Sequence, residues 1–290
     1  MRIVRYNTFS EKGTNRIDDI QDNSILRRGS PVAHSVYGIA SSLNAANYLL
    51  FIALERIVNL HPAATKVYME QMLEVFRGQG IEIFWRDNLI CPSEADYKTM
   101  AMKKAGGFFN LMVTLMKLFS TYKEDLSSLS IILGLHFQIR DDYGILNSDK
   151  YTENKGYCDD LSEGKFSFPI VHALTMNPDD KQIIYILKQL TKEIELKHHC
   201  VKLLEKFGSF EYTKNVLEDL DVKARAEIKR LGGNPIDDIQ DNSILRRGSP
   251  VAHSVYGIAS SLNAATYLVL IALERIVNLH PAYRKSKSYC

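Results

Sequence analysis

Five residues near the start of the chain, Asp18-Asp19-Ile20-Gln21-Asp22, have the types and spacing to hold a hard cation. On a helix, carboxylates at i and i+4 share a face, so Asp18 and Asp22 can reach one ion. Mg²⁺ suits them, because it takes oxygen ligands, keeps several waters and bridges one or two carboxylates to the phosphates of a substrate. A second acidic pair, Asp141-Asp142, is the partner that such a site needs from across a cavity. Basic residues flank both clusters: Arg27-Arg28 beyond the first, Lys103-Lys104 before a glycine pair, and Lys155 and Lys165 beyond the second. Cations and paired carboxylates in an apolar helical shell are costly unless something anionic and something divalent neutralise them. Diphosphate with Mg²⁺ does so. The plainer alternative is structural: acidic residues are favoured at a helix N-terminus, and single lysines are mostly solvated surface charges.

The elements that must position these groups read as helices. Gly 16 and Pro 8 in 290 residues leave few breakers, and strand-like alternation is nowhere sustained, so the fold class is all-α. Val67 to Trp85 places Met69, Met72, Leu73, Phe76 and Ile83 on one stripe, with Gly78-Gln79-Gly80 where a neighbour needs close approach. Ser93 with Asp96 resembles a capping box that opens a helix through Met102 to Tyr122, with Gly106-Gly107 inside it. Asp125-Leu126-Ser127-Ser128 starts another, which leads into Arg140-Asp141-Asp142. Lys181 to Phe207 reads as one helix stopped by Gly208, and Ser209 to Leu231 as the next, stopped by Gly232-Gly233. Ahead of Asp18, Gly13-Thr14-Asn15 fit a cap better than a helix interior.

Composition excludes several function classes. A hydrophobic share of 46% is enough for a sizeable core, and Lys plus Arg exceed Asp plus Glu only by 36 to 34, which gives no broad nucleic-acid face. No apolar stretch has the length of a signal peptide or a membrane span, and Cys91, Cys158, Cys200 and Cys290 lack the paired spacing of zinc or disulfide sites. A cytoplasmic protein is the expectation. The chain also repeats itself: Ile17 to Ala63 recurs as Ile236 to Ala282, with three differences in 47 positions. A solenoid varies its surface between repeats, whereas this pair keeps everything, so it reads as a copied segment. The copy brings a second acidic cluster, Asp237, Asp238 and Asp241, with Arg246 and Arg247.

From Ile17 to Pro235 the sequence resembles the trans-prenyltransferases of the geranylgeranyl diphosphate synthase type, closest to the animal enzymes. The matching stretches are DDIQDNSILRRGSPVAHSVYGIASSLNAANY, GQGIEIFWRDN, FQIRDDY, NKGYCDDLSEGKFSFP and GSFEYTKN. The resemblance implies an all-α prenyl-synthase helical bundle, a homodimer and Mg²⁺, three ions to each active site. It also implies roles: Asp18, Asp22 and Asp141 as metal ligands, with Asp19 and Asp142 supporting. Arg27, Lys104, Gln138, Lys155 and Lys165 would hold or surround an allylic diphosphate, and Arg28 would face isopentenyl diphosphate.

The organisation expected on that basis is an unrelated segment 1–16, a catalytic domain 17–235, the copied segment 236–282 and a tail 283–290. Family members carry helices and a Gly-Lys-x-x-Arg stretch ahead of the first acidic motif, and sixteen unrelated residues stand there instead. Ala105 follows Lys104 where Thr is usual, Glu82 replaces Asp after the GQG element, and Ile145 ends the second acidic motif. These departures spare ionisation more than condensation. The expected activity is therefore a terpene synthase, a lyase acting on geranyl or farnesyl diphosphate and giving a simple, acyclic terpene. The alternatives are a chain-elongating synthase that uses isopentenyl diphosphate and a catalytically weak partner subunit. Phe108, Phe109 and Phe137 could face an allylic cation, with core packing their plainer role.

Overall fold

The computed structural model describes residues 2–27, 29–120, 124–147, 157–231, 245–246 and 249–250, with side chains described between residues 10 and 231. Among them are eleven helices. These are α1 (Arg2–Gln21), α2 (Ala33–Tyr37), α3 (Ile39–Val58), α4 (Ala64–Asn88), α5 (Glu94–Lys117), α6 (Ser127–Asn147), α7 (Asp159–Glu163), α8 (Phe168–Met176), α9 (Gln182–Lys188), α10 (Ile194–Lys206) and α11 (Ser209–Arg230). Strand pairing among the described residues is confined to two-residue hairpins, one between β1 (Leu26–Arg27) and β2 (Ser30–Pro31). No helix among the described residues is long and apolar enough to cross a membrane.

Helix α5 is the centre of the bundle. Its Tyr97, Met100, Ala101, Ala105, Leu111, Leu115 and Met116 are buried on several faces, as a helix enclosed by neighbours requires. It packs against α1, α4, α6 and α8. Its start is the expected cap: the Asp96 amide donates to Ser93 Oγ at 3.1 Å, and that hydroxyl donates to Asp96 Oδ2 at 2.6 Å. Two apolar clusters fill the sides. One joins α5 and α6 to α8–α11 through Ile139, Phe168, Leu187, Leu204 and Leu217; the other joins α3 and α4 to α5 through Ile57, Tyr68, Met72 and Leu111.

Three local expectations change. Helix α1 runs unbroken through Gly13-Thr14-Asn15. Gly13 is there because α3 lies against it: a Cβ would come within 2.9 Å of the Ala46 carbonyl. Thr14 Oγ1 satisfies itself by donating back to the Ser10 and Glu11 carbonyls, at 3.0 and 3.1 Å. The stripe on α4 is split. Met72 is buried with Tyr68 and Val75, while Met69, Leu73 and Phe76 remain exposed. Lys181 to Phe207 is two helices, because the chain turns at Leu190, in the left-handed region at φ 48°, and Thr191 Oγ1 accepts from the Glu193 amide at 3.0 Å to begin α10. The GQG element meets its expectation: a Cβ on Gly78 would lie 2.6 Å from the Lys104 amide nitrogen, so α4 and α5 meet backbone to backbone beside that lysine.

Candidate active site

Asp18 and Asp19 stand on the last turn of α1, and Asp22 lies just past its end, with its amide on the Asp18 carbonyl at 2.9 Å. A helix C-terminus carries partial negative charge, so carboxylates there oppose the dipole. The structural alternative of a favourable N-terminal cluster is thereby removed. Cations hold the turn instead. Arg86, near the end of α4, donates to the Gln21 carbonyl at 3.1 Å and to Asp22 Oδ1 at 2.8 Å. Lys165 donates to Asp22 Oδ2 at 2.5 Å and pairs with Glu163 at 2.7 Å. Arg27, fixed on the hairpin, meets Asp19 at 2.7 Å and Asp18 at 3.4 Å. Lys104 lies between Asp18 at 3.4 Å and Glu82 at 2.5 Å.

These groups border a pocket. Asp18, Asp19 and Asp22 form one wall, Ser24, Leu26 and Arg27 the hairpin side, and Asp159, Asp160, Glu163 and Lys165 on and after α7 the opposite wall. Six described carboxylates line it against two described cations. This surplus sets the titration. Burial, reinforced by Asp18 and Glu163, pushes the Asp22 carboxyl up to about 7 despite Lys165. Burial likewise raises Asp19. Burial works against the charges of Lys104 and Lys165, but the surrounding carboxylates outweigh it and hold both ammonium groups above their ordinary range. Arg27 is raised in the same way by Asp19, Asp18 and, least, Asp141.

A raised carboxylate is protonated more readily in the folded than in the unfolded chain, so its contribution to stability is lost as pH rises through the folded value. Metal-free protein is therefore expected to gain on the order of 1 kcal/mol as pH falls from about 8 to about 6.5. Thermal melts across that window check it, with Asp22→Asn expected to flatten the slope. The window stops at 6.5 because His136, pushed down to about 4 by burial and Arg140, acts in the opposite sense below its ordinary 6.5.

The second acidic pair divides its labour. Successive helix residues point about 100° apart, which lets Asp141 and Asp142 meet different partners. Asp141 is the one whose charge reaches Arg27. Asp142 is buried and accepts from Tyr97 Oη, from the Phe168 amide at 2.8 Å and from Gln138 Nε2 at 3.0 Å. Burial lifts it to about 6 against those donors. Lys103 pairs with Glu74, away from the pocket. Phe108 and Phe109 pack on the apolar clusters, and Phe137 stacks under the Arg140 guanidinium at 5.0 Å. Arg28, Lys155, Asp237, Asp238, Asp241 and Arg247 lie outside the described residues. In the copied segment, Leu245–Arg246 pairs with Ser249–Pro250 in the register that the first copy uses.

The spacing of the first acidic motif gave no sign of Glu163 and the Asp159-Asp160 pair, which line the pocket, or of Arg86, which braces Asp22. Asp159 and Glu163 repeat the i, i+4 spacing of Asp18 and Asp22, which was the available signal. Oxygen donors in negative surplus fit a hard divalent cation. Among the described residues no three carboxylate, histidine or cysteine side chains converge closely enough to cage a metal alone. Mg²⁺ needs only one or two carboxylates when phosphate and water supply the rest, so the donor set fits a metal that arrives with its substrate.

Fold and pocket together define an all-helical enzyme with an acidic, cation-braced site. The chain matches polyprenyl synthetase over residues 16–204 and 236–288, and it belongs to that family. A terpene synthase from Matsumurasca onukii is 58% identical over 230 residues, 79% of this chain and 76% of that protein. A geranylgeranyl pyrophosphate synthase from Mucor circinelloides f. lusitanicus is 47% identical over 221 residues, 76% of this chain and 73% of that one. A copalyl diphosphate synthase from Talaromyces verruculosus is 46% identical over 223 residues, which are 77% of this chain but 23% of its own length.

Proposed function

We propose that this isoprenoid-diphosphate enzyme is a Mg²⁺-dependent terpene synthase that ionises geranyl or farnesyl diphosphate and releases diphosphate and a simple, acyclic terpene. The observation that carries the reading is the pairing of three cations in and beside the pocket with carboxylates: Arg27 with Asp18 and Asp19, Lys104 with Asp18 and Glu82, Lys165 with Asp22 and Glu163. When an allylic diphosphate enters, these three cations exchange carboxylate oxygens for phosphate oxygens. Asp18, Asp19 and Asp22, relieved of those cations, would with Asp141 hold magnesium, which would supply Lewis-acid neutralisation of the leaving group. Charge that develops on the departing diphosphate meets donors already in place, so little reorganisation is needed at the moment of ionisation.

The 58% identity to a protein named terpene synthase favours the lyase over the elongating synthase. Glu82, which holds Lys104, and Ala105 beside it are this chain's own version of that wall. The elongating alternative draws on the 47% identity to a geranylgeranyl pyrophosphate synthase. An assay with Mg²⁺ and geranyl or farnesyl diphosphate, run with and without isopentenyl diphosphate, separates them. Volatile hydrocarbon without isopentenyl diphosphate is expected; longer diphosphates that form only in its presence would overturn the lyase reading. Calorimetry gives a further expectation: Mg²⁺ alone binds weakly and inorganic diphosphate alone binds weakly, while the two together bind at least about tenfold more tightly, because each neutralises the charge the other brings.

A homodimer fits the same reading. The outer faces of α3 and α4 leave Tyr48 66%, Phe51 68%, Leu73 48% and Phe84 55% exposed, apolar groups that a second subunit would cover. Sedimentation at micromolar concentration should give twice the chain mass.

A further inference from the structure

We infer that Tyr97 is a positioning residue for the proposed site, acting through Asp142, which ties α6, the helix that carries Asp141, to the start of α8 just beyond Lys165. Asp142 ties three elements together. Tyr97 reaches it from α5, Gln138 from one turn earlier on α6, and the Phe168 amide from the first residue of α8. Two of these links run to residues next to groups of the proposed site. Asp141 is the next residue along α6, and Phe168 stands three residues after Lys165, whose ammonium holds Asp22. Tyr97 fixes the junction twice, since its hydroxyl donates to Asp142 while its ring packs on Phe168 with centroids 5.2 Å apart.

Tyr97 and Asp142 are both buried, and neither lines the pocket. A buried carboxylate that accepts three hydrogen bonds has its orientation set by them. Loss of the phenolic donor leaves Asp142 free to turn towards other partners, which shifts Asp141 and the turn that carries Lys165 relative to each other. The consequence falls on metal-dependent diphosphate binding, which in the proposed site uses Asp141 and Lys165 together, rather than on stability alone.

The inference rests on the proposed diphosphate site, and the test separates the two. Inorganic diphosphate is titrated calorimetrically into the full chain with Mg²⁺ present, for wild type, Tyr97→Phe and Thr213→Val. The last variant deletes another fully buried hydroxyl bond, from Thr213 Oγ1 to the Ser209 carbonyl at 2.7 Å, in the same core but off this route. Tyr97→Phe is expected to weaken binding about tenfold, the usual scale for a group that orients a metal-site ligand. Thr213→Val should lower the melting temperature and bind as wild type does. Asp142→Asn supplies a second check: adding Tyr97→Phe to it should cost nothing further, because the two act as one unit. Unchanged binding by Tyr97→Phe, equal weakening by Thr213→Val, or additive losses in the double variant would overturn the inference alone. Failure of wild type to bind Mg²⁺ and diphosphate would overturn it together with the functional reading.

Discussion

Asp18→Asn is expected to lower Mg²⁺-dependent diphosphate release by about 10³-fold, while the folded protein keeps or slightly gains stability. Asp18 is the most exposed of the three first-motif carboxylates, its side chain 24% accessible against 5% for Asp19 and 2% for Asp22, so it is the one that faces an incoming ligand. Its loss does not strand its partners: Arg27 retains Asp19 at 2.7 Å, and Lys104 retains Glu82 at 2.5 Å. It also relieves Asp22, which Asp18 pushes upward, and it removes a charge that opposes the α1 dipole. A loss of activity without a loss of stability marks a residue kept for function rather than fold. Steady-state turnover and thermal melts of the same sample check both halves. Asp237→Asn, at the equivalent position of the copied segment, should leave turnover unchanged; the reverse pattern would move the site to the second copy.

Lys165→Met is expected to fail in the other way, losing both stability and ligand binding. Its ammonium lies between Asp22 and Glu163, and removing one member of a buried ion group leaves Asp22 to Arg86 and takes an ammonium partner from Glu163, at up to about 3–5 kcal/mol. For a chain of this size that lowers the melting temperature by up to roughly 10 °C. The sign of the pH dependence identifies the cause. Asp22 already sits at about 7 with Lys165 present, and without it rises further, so the carboxylate takes up a proton more easily as pH falls. The deficit relative to wild type should shrink from about pH 8 to about pH 6 in thermal melts. A deficit that stays constant with pH would point to lost packing of the lysine stem and not to charge.

The fold was largely legible because its signals are local. The Ser93 cap lies within one turn of the residues it serves, and the apolar spacing of α5 and α6 needs no knowledge of partners. Gly13-Thr14-Asn15 misled because helix propensity is a weak prior: the close approach of α3 makes Gly13 necessary where local preference argues for a break. At Lys181 to Phe207 the helical pattern hid a turn at Leu190, a residue that carries no turn signal. In the site, the carboxylates were legible by spacing and by resemblance, but their partners were not. Arg86 meets Asp22 across 64 positions and Lys165 across 143, and nothing in the residue types themselves joins them. Asp142 shows the converse. Two adjacent aspartates read as one cluster in sequence, but Asp142 turns into the core towards Tyr97 while the charge of Asp141 reaches Arg27.

Ionisation of an allylic diphosphate without a second substrate is the decisive reaction. Full-length protein incubated with farnesyl or geranyl diphosphate and Mg²⁺, with no second substrate, is followed by the diphosphate it liberates. Steady release matched by hydrocarbon and stopped by a chelator is the result the account predicts. An allylic diphosphate that stays intact under those conditions, in protein that is folded by thermal melt, would contradict it.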